Sequence, residues 1–423
     1  MPDDVLVVGG GVGGLVLARR LALAGRPVVV FERSDRFGGQ VARQTVAGVD
    51  LDAAAESFAT RGGTVARLLT ELGLADDIET PLPEPAWLHR ADGSAVPLPA
   101  TGVLGIPGDP SARDVVQAIG RRAALRARLD GLLPARVGAD ASSLGELVHR
   151  RMGRGVLDGL VAPVVRGVHS SDPSSLPVET ASPRLRDELR QTGSLAAAVQ
   201  RIRAAAPAGS QVAAIRGGMF RLIDALAAEC ERLGVRVETR AEAGDITPGG
   251  VTVNGRRLTG EVVRAAAPAD ASGRRVTLAT LVVEASGLDT APRGTGVLVA
   301  AGAPGVSARA LTHVSAKWAW VGDRLPGLHA LRLSYDGAVP DAIQRATADA
   351  ATLTGARIDR VVDATSVVWQ RRPGGAWADT PEPAVGEGPA GTGLASVVAH
   401  AERVAARLSV DSPEPASGGR MEG

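Results

Sequence analysis

The hydrophobic pattern of the N-terminal segment changes its period twice. Residues Val5 to Val8 are an unbroken apolar run, which is typical of a strand buried on both faces. Apolar residues then recur at helical spacing from Leu15 to Ala24, and Gly25 is placed to end that helix. A second apolar run, Val28 to Phe31, ends at Glu32. The segment therefore predicts a strand, a helix and a second, parallel strand.

Glycines fill the turn between the first strand and the helix, in the spacing G-x-G-x-x-G. Gly9 allows the tight turn, Gly11 lets the backbone approach a pyrophosphate, and Gly14 lets the helix pack closely on the strand. The amides at the helix start would face the diphosphate, and the Glu32 carboxylate would accept the ribose hydroxyls. A carboxylate there disfavours a 2′-phosphate, so the unit favours FAD or NAD over NADP. The predicted cofactor contacts of this unit are Gly9, Gly11, Val12, Gly13, Gly14 and Glu32.

A second motif begins at Glu32 itself. Residues 32–39 read E-x-x-x-R-x-G-G, which resembles the continuation found in flavoprotein oxidases of the amine oxidase and protoporphyrinogen oxidase superfamily. Arg36 would neutralise phosphate charge, and Gly38 and Gly39 would let the chain pass close to the cofactor. Together with Arg33, these residues extend the predicted dinucleotide site, and the resemblance favours FAD.

The rest of the pattern separates a helical part from a strand-rich part. Helical spacing dominates from residue 109 to about residue 200, where a capping box begins at Ser143. Strand patterns dominate from Val276 onward and predict an antiparallel sheet that would wall a substrate cavity. Trp87 to Leu98 predicts a hairpin. A glycine-rich segment, Gly386 to Gly393, opens a final predicted helix and offers a second helix end to a flavin.

These patterns predict an α/β fold with a Rossmann-like FAD-binding domain, a mixed-sheet substrate domain and a helical insertion. The predicted FAD-binding domain comprises residues 1–60, 210–268 and 386–410. The substrate domain comprises residues 61–108 and 269–385, and the helical domain residues 109–209. Proline, serine, glycine and charged residues predict a disordered tail over 411–423.

Composition narrows the class of protein. A chain of 423 residues is expected to form two or three domains, and a net charge of +1 gives no indication of nucleic-acid binding. The single cysteine, Cys230, excludes an internal disulfide framework and a cysteine metal cluster, and it is predicted to pack in the core. No apolar stretch predicts a transmembrane segment and no signal peptide is evident, so a cytoplasmic protein is expected.

Several separated stretches, taken in order, resemble the water-soluble, oxygen-dependent coproporphyrinogen III and protoporphyrinogen oxidases, particularly the Gram-positive coproporphyrinogen type. They reach from residue 5 to about residue 408. The matching stretches are Val7 to Gly14, Glu32 to Gly39, Asp50 to Arg61, Pro163 to Leu176, Arg216 to Ala225, Ala316 to Trp318, Val368 with Trp369, and Gly391 to Leu394.

The resemblance implies noncovalently bound FAD, a p-hydroxybenzoate-hydroxylase-like architecture and oxidation of a porphyrinogen to a porphyrin. In that chemistry a flavin accepts a hydride in each of three two-electron steps, and molecular oxygen reoxidises it to give peroxide. Other enzymes of haem biosynthesis would be its partners. No Ser-His-Asp, paired-carboxylate or metal-ligand constellation competes with this interpretation in the sequence.

The matching stretches also supply candidate site residues. The further cofactor contacts that the resemblance implies are Gly217, Gly218, Met219, Val237, Gly391, Gly393 and Leu394. Arg61 and Arg216 would meet substrate propionates, or are surface arginines. Lys317 would contact a carboxylate or an aromatic ring, or is structural. His169 lies in a family motif but has a simpler interpretation as a turn residue.

Other polar residues are interpreted as structural. His313 is expected to be a wall residue on a strand, and Glu56 to hold the loop that lines the flavin. The remaining histidines have no partner spacing and are expected at the surface: His89, His149, His329 and His400.

One segment departs from the family pattern and leaves the function open. Between Trp369 and Gly386 the family has a helix and a further strand, whereas here a short segment with three prolines fills the gap. The last strand before the C-terminal flavin contact is therefore expected to be missing. Besides the oxidase, the sequence allows a shortened non-catalytic paralogue that binds porphyrin or a haem-pathway partner, or a flavoprotein oxidase of protoporphyrinogen, an amine or a polyene.

Overall fold

The N-terminal strand, helix and strand predicted from the sequence are present in the computed structural model of the chain, which describes residues 4–100, 102–169, 171–205, 211–267, 273–371 and 380–410. All four residues of the first strand are buried, as the apolar run predicted. The strands are β1 Val5–Val8, β2 Val28–Glu32, β3 Arg43–Val46, β4 Val49–Asp52, β5 Phe58–Ala59, β6 Ile78–Glu79, β7 Trp87–His89, β8 Ala95–Pro97, β9 Gly102–Val103, β10 Ile106–Pro107, β11 Val212–Ile215, β12 Arg236–Thr239, β13 Ala243–Thr247, β14 Gly250–Val253, β15 Arg256–Thr259, β16 Glu261–Arg264, β17 Arg274–Glu284, β18 Gly296–Val299, β19 Ala310–His313, β20 His329–Asp336 and β21 Arg360–Arg371.

Helices occupy most of the middle of the chain and its end. The helices are α1 Val12–Leu23, α2 Thr64–Glu71, α3 Arg113–Arg128, α4 Leu144–Met152, α5 Arg154–Val156, α6 Ala162–His169, α7 Val178–Ala181, α8 Leu185–Thr192, α9 Leu195–Ala204, α10 Phe220–Arg232, α11 Val314–Lys317, α12 Ala319–Arg324, α13 Ala342–Thr354, α14 Glu387–Ala390 and α15 Leu394–Val410. The mixed α/β class predicted from the sequence is confirmed.

A parallel sheet of four strands, in the order β12-β2-β1-β16, carries the N-terminal glycine turn. Helix α1 follows β1 and packs between α10 and α15. Cys230 on α10 is buried in this core, as its isolated position in the sequence predicted. The sheet thus aims the carboxyl ends of β1 and β2 at one edge, where Rossmann-like folds bind nucleotides.

A second sheet of seven strands, in the order β21-β17-β20-β19-β18-β7-β8, forms the other main layer. Its central strands pair antiparallel, and β18 pairs parallel with β7. The hairpin predicted from Trp87 to Leu98 is present as β7 and β8. Helix α13 covers one face of this sheet with small residues such as Ala346 and Ala350, which lets the helix approach closely.

The helical insertion has its own apolar core and a buried ion pair. Arg151 on α4 is fully buried and pairs with Asp130, whose second carboxylate oxygen accepts a hydrogen bond from Ser194 at 2.7 Å. The capping box is present in part. The Ser143 hydroxyl accepts from the Glu146 amide at 3.2 Å, while the Glu146 carboxylate accepts from the Ser142 amide at 2.8 Å.

The strand expected to be missing before the C-terminal helices is reduced to a single parallel bridge between Arg264 and Ala384. The Arg264 amide donates to the Pro383 carbonyl at 2.9 Å, and its carbonyl accepts from the Val385 amide at 2.8 Å. The Arg264 guanidinium also pairs with the buried Glu382 carboxylate. Arg264 therefore connects the segment before α14 to the edge of the four-stranded sheet. Residues 372–379, half of the proline-containing segment, and the predicted disordered tail lie outside the described residues.

Candidate cofactor and substrate site

Two glycine stretches meet at the carboxyl end of β1. The Gly38 amide donates to the Gly10 carbonyl at 2.8 Å, and Gly38 forms a parallel bridge with Gly11. Space beside Gly11 is open: no atom lies within 4 Å of the position where a side chain would begin, and the corresponding position on Gly39 meets only the Gly11 Cα, at 3.8 Å. The two stretches form a backbone-lined groove, which we call the glycine groove.

Close packing requires glycine at the rear of this groove. A methyl group on Gly14 would lie 2.0 Å from the Gly9 carbonyl oxygen, and Gly9 itself has a φ of +117°. Neither position tolerates a side chain: Gly14 lies where the first turn of α1 packs on the end of β1, and a methyl group on Gly9 would lie 2.8 Å from the Ala265 backbone. The role predicted for Gly14, close helix–strand packing, is therefore seen in the structure.

The Glu32 carboxylate stands at the end of β2, beside the same turn. One oxygen accepts from the Gly10 amide at 2.8 Å, and the other accepts from the amide and hydroxyl of Ser34 at 2.9 and 2.8 Å. These bonds fix the carboxylate, and the oxygen that accepts only from Gly10 retains lone-pair capacity for a further donor such as a hydroxyl group. Val237 lies on the neighbouring strand β12, paired with Val30.

The C-terminal glycine segment approaches the groove from the opposite side. A methyl group on Gly13 would lie 3.0 Å from the Gly386 Cα, so the start of α1 and the segment that opens α14 are in contact. Gly391 and Gly393 have positive φ values of 81° and 103° and open space beside them. Leu394 begins α15, which packs along α1. Two helix N-termini therefore converge near the groove, a suitable environment for a diphosphate.

The Gly217–Gly218 turn and Met219 lead into α10 and are anchored by Asp52. The Asp52 carboxylate accepts from the Phe220 amide at 3.2 Å. Burial raises the pKa of Asp52 to about 6, although its hydrogen bonds with the backbone of Met219 and Phe220 and the charge of Arg332 oppose that shift. The turn is thereby held against the end of β4.

A narrow cavity lies between this turn and the seven-stranded sheet. Both tryptophans in its wall are buried, with Trp318 at 2% and Trp320 at 8% exposure. Neither indole N–H has an acceptor among the described residues. Buried donors are rarely left without a partner, so the wall is suited to a ligand that brings acceptor atoms. Residues lining the cavity are Leu51, Asp52, Glu56, Ala214, Thr280, Val314, Trp318, Trp320 and Arg332.

An ion network closes one side of the cavity. Lys317 Nζ lies 2.5 Å from Glu56 Oε1, and the other Glu56 oxygen pairs with Arg332. Arg332 also donates to the carbonyls of Asp52 and Ala54, both at 3.2 Å. Burial lowers the pKa of Lys317 to about 8 and that of Arg332 to about 10, and the contacts with the Glu56 carboxylate favour the charged forms of both.

Lys317 has both contacts that the sequence suggested for it. Besides Glu56, its ammonium lies 5.2 Å from the centroid of the Trp318 ring. Glu56, expected to be structural, holds two buried cations at the cavity wall. Sequence reasoning missed Arg332, Trp320 and Asp52 as cavity residues. The only available signal was indirect: Arg332 is a lone charge among apolar residues of a strand pattern, which in a buried strand demands a partner.

The other basic residues predicted to contact cofactor or substrate do not converge on the cavity. Arg61 is exposed and has no side-chain hydrogen bond or ion pair with a described residue. Arg216 is also exposed and lies 3.6 Å from Glu79. Arg33 is exposed at the end of β2, and Arg36 lies over the Trp369 ring at 5.9 Å. His169 ends α6, and its side chain lies outside the described part of the structure.

Three histidines expected at the surface are not there: His89 is buried, and His329 and His400 are half-buried. His89 is 2% exposed, and neither ring nitrogen has a hydrogen-bond partner in the described ranges. It was misjudged because a three-residue strand gives too little pattern to show which face is covered. His329 is half-buried and bridges His313, at 3.2 Å, to Asp289, at 3.1 Å. His313 is a buried wall residue as expected, and burial lowers its pKa to about 4, helped by His329.

The glycine groove and the cavity together define a dinucleotide-binding oxidoreductase fold. A backbone cradle with room for a diphosphate, a fixed carboxylate at the end of β2 and buried indole donors fit a flavin dinucleotide. Where such a cofactor binds, the glycine turn and the two helix N-termini would hold its diphosphate, and Glu32 its ribose.

Comparison with known proteins gives the family. Residues 12–280 match the flavin containing amine oxidoreductase family, and the chain belongs to that family. It is 30% identical over 356 residues to the coproporphyrinogen III oxidase of Mycobacterium tuberculosis, an alignment covering 79% of this chain and 76% of the relative. The coproporphyrinogen III oxidase of Propionibacterium freudenreichii is 26% identical over 372 residues, covering 80% and 70%. The chain is thus an oxidoreductase similar to Gram-positive coproporphyrinogen III oxidases.

Solved structures show the same fold. A putative protoporphyrinogen oxidase from Exiguobacterium superposes with a TM-score of 0.82 at 18% identity, over 97% of this chain and all of the other. Putrescine oxidase bound to putrescine superposes with a TM-score of 0.64 at 16% identity. Within the described ranges, none of the helices combines the length and apolar character needed to cross a bilayer.

Proposed function

We propose that this protein is an FAD-dependent coproporphyrinogen III oxidase of haem biosynthesis, which forms coproporphyrin III with oxygen as acceptor and peroxide as by-product, in the cytoplasm. The observation that carries the proposal is the donor-rich cavity beside the glycine groove. The named relatives support the substrate class.

Bound FAD would supply the hydride acceptor for each two-electron step. The chain's own residues position the reactants and supply charge. Trp318 and Trp320 lie in the cavity wall and have indole N–H groups with no acceptor among the described residues. Arg332 lines the same wall, and Lys317 lies behind it in contact with Glu56. Glu56 keeps both cations charged inside the protein, which is the condition for their attracting a carboxylate-bearing substrate.

The residues proposed to hold FAD are those of the groove and the turns that face it. They are Gly9, Gly11, Val12, Gly13, Gly14, Glu32, Arg33, Arg36, Gly38, Gly39, Gly217, Gly218, Met219, Val237, Gly391, Gly393 and Leu394. Lys317 remains a substrate-binding candidate, because it is the one predicted substrate contact that reaches the cavity region. Arg61, Arg216 and His169 gain no support from the described contacts.

A non-catalytic porphyrin-binding paralogue is the second candidate. The observation that favours it is the reduction of the last nucleotide-sheet strand to the single Arg264–Ala384 bridge. In this view the C-terminal glycines would be held too loosely for FAD to bind firmly, while the substrate-side cavity is kept.

The absorbance spectrum of the purified protein, before and after FAD addition, separates these candidates. The oxidase shows bound flavin that coproporphyrinogen bleaches without oxygen, followed by coproporphyrin fluorescence and oxygen uptake in air. Gly11→Ala would place a methyl group in the groove with no protein atom within 4 Å of it, and it should weaken FAD binding. Gly244→Ala is the matched control, because its position is equally open and lies on β13. A folded protein that takes up no FAD, or a rate equal to spontaneous oxidation, would overturn the proposal.

A further inference from the structure

Three exposed leucines lie close together on the helical insertion. Leu125 is on α3, and Leu129 and Leu132 are on the 3₁₀ turn that continues it. Their exposed fractions are 62%, 47% and 81%. Large apolar side chains that are exposed singly are ordinary at a protein surface, whereas these three occur within one short segment. A concentrated apolar patch of this kind indicates a contact surface.

The spacing of the leucines places them on a single side of the helix. Residues three or four positions apart are neighbours along one stripe of a helix, and the step from each leucine to the next is of that size. The other side of α3 carries Ala124 and Ala127, which are buried. Burial of the alanines fixes the rotation of α3, so Leu125 is held outward. Leucine and glutamine have similar helix propensities, so helix formation does not require leucine here.

Exposed arginines border the three leucines. None of them forms a hydrogen bond or an ion pair with a described residue, although Arg128 lowers the pKa of Asp109, behind the larger effect of hydrogen bonds from Ser111. Their positive charges are therefore open to an outside partner. The four arginines are Arg121, Arg122, Arg128 and Arg136.

Nearby carboxylates do not offset this charge. The sequence from 115 to 139 contains one acidic residue, Asp130, which is buried and pairs with Arg151. Arg126, the remaining arginine of the segment, donates to the carbonyls of Arg150 and Arg151. The surface formed by the three leucines and the four exposed arginines is thus both apolar and basic. We call it the leucine-arginine face.

The character of the leucine-arginine face selects its partner. A second copy of the chain would bring like charges together, which disfavours self-association. Leucine is under-represented among the residues that dominate protein–protein interfaces, and the sequence from 113 to 139 contains no aromatic residue. Apolar side chains flanked by arginines on an exposed helix are typical of a helix that lies on a lipid surface. Anionic headgroups complement the arginines, and the layer beneath them receives leucines.

We propose that the leucine-arginine face docks reversibly on an anionic lipid bilayer, with its leucines in the interfacial layer and its arginines at the level of the headgroups. The second half of α3 would lie in the plane of the surface, which requires no transmembrane segment. The inference is independent of the proposed function, because no residue of this face lines the cavity.

Cosedimentation of the full chain with lipid vesicles tests the proposal in the absence of porphyrin. Phosphatidylglycerol mixed with phosphatidylcholine in roughly equal parts supplies the anionic surface, and phosphatidylcholine alone supplies the neutral one. We expect binding to the anionic vesicles that high salt removes, and little binding to the neutral vesicles. Binding to neither would overturn the proposal in favour of an acidic protein partner, and equal binding to both would overturn the role of the arginines.

The apolar contribution is measured with a pair of leucine variants. Leu125→Gln with Leu132→Gln should reduce partitioning onto anionic vesicles by on the order of tenfold, because two apolar side chains no longer enter the interface. Leu23→Gln with Leu82→Gln is the matched control, since both leucines are exposed and lie outside the helical insertion. Equal partitioning of the two double variants would contradict docking through this face.

The charge contribution is measured in the same way. Arg121→Gln with Arg122→Gln should reduce partitioning by about tenfold and flatten its salt dependence. Arg256→Gln with Arg345→Gln, which replaces exposed arginines on β15 and α13, is the control and should bind as the parent does. Thermal melting confirms that each variant is folded. Binding by the Arg121 and Arg122 variant at the level of the parent would overturn the proposal.

A dye attached to a new cysteine reports insertion directly. The native Cys230 is buried, and burial raises the pKa of its thiol to about 12, so a cysteine introduced at an exposed position is the reactive one. An environment-sensitive dye on Leu129→Cys should shift its emission to the blue on anionic vesicles, whereas the same dye on Leu23→Cys should not. Unshifted emission from position 129 in bound protein would show that another face meets the lipid.

Discussion

Lys317 and Glu56 lie 261 positions apart in the chain and meet at 2.5 Å beside the cavity. Arg332 occupies the other oxygen of the same carboxylate. One glutamate is thus shared by two cations, the half-buried Lys317 of α11 and the buried Arg332 of β20. The contact joins the loop after β4 to the seven-stranded sheet, so it links the two halves of the site.

Removing the Glu56 carboxylate should lower the free energy of unfolding. Glu56→Gln removes the carboxylate that Lys317 and Arg332 share and leaves Arg332 with only the charge of Asp52, so the variant should lose about 1–3 kcal/mol of unfolding free energy. Urea denaturation measures the difference. Glu179→Gln is the control, because the Glu179 side chain is 60% exposed in its pair with Arg186 and its loss should cost less than about 1 kcal/mol. Equal effects in the two variants would contradict the assignment.

Replacing Trp318 or Trp320 should affect thermal stability and ligand affinity differently. Trp318→Phe and Trp320→Phe each remove a buried N–H that has no acceptor among the described residues. The ligand-free protein should therefore keep its melting temperature or gain slightly, since no hydrogen bond is lost. Porphyrin or flavin affinity should fall by about fivefold, the equivalent of one hydrogen bond. Unchanged affinity for both ligands would show that the donors serve neither.

Glu32→Ala should weaken FAD binding. The variant loses the acceptor for the Gly10 and Ser34 amides as well as the proposed ribose contact. Hydrogen bonds to a charged group contribute about 1.5–3 kcal/mol each, so a fall in FAD affinity of about 10- to 100-fold is expected in an equilibrium titration. Glu242→Ala, at an exposed position after β12, is the control. Retention of stoichiometric FAD by Glu32→Ala would remove Glu32 from the site.

We expect His313 to lower the free energy of unfolding in acid. Its pKa is about 4 in the folded protein, below its ordinary value of 6.5, so the unfolded chain binds more protons between these limits. Stability from this residue is fully present above pH 6.5 and is lost as the pH falls towards 4, by up to about 3 kcal/mol. Subtracting the pH profile of His313→Leu from that of the parent isolates this contribution. His149→Leu, at an exposed site, should leave the slope unchanged.

Local sequence patterns were sufficient to predict the secondary-structure elements that define the class of protein. The strand, glycine turn and helix from Val5 to Ala24 are encoded by neighbouring residues, because hydrophobic period and glycine spacing act over a few positions. The same holds for the hairpin after Trp87 and for the C-terminal helix. The loss of a strand after Trp369 stays a prediction, because residues 372–379 lie outside the described part of the chain, and the bridge between Arg264 and Ala384 was not foreseeable.

Only the tertiary structure decided which charges meet. Arg274 and Arg371 face each other because β17 and β21 pair in one register, and a shift of one residue would separate them. Glu56 finds Lys317 and Arg332 through the packing of a loop on a sheet, and His89 is buried by elements that its own strand does not specify. The sequence by itself determined the nucleotide fold, since its signals are local. The cavity was decided by long-range pairing, which no local period records.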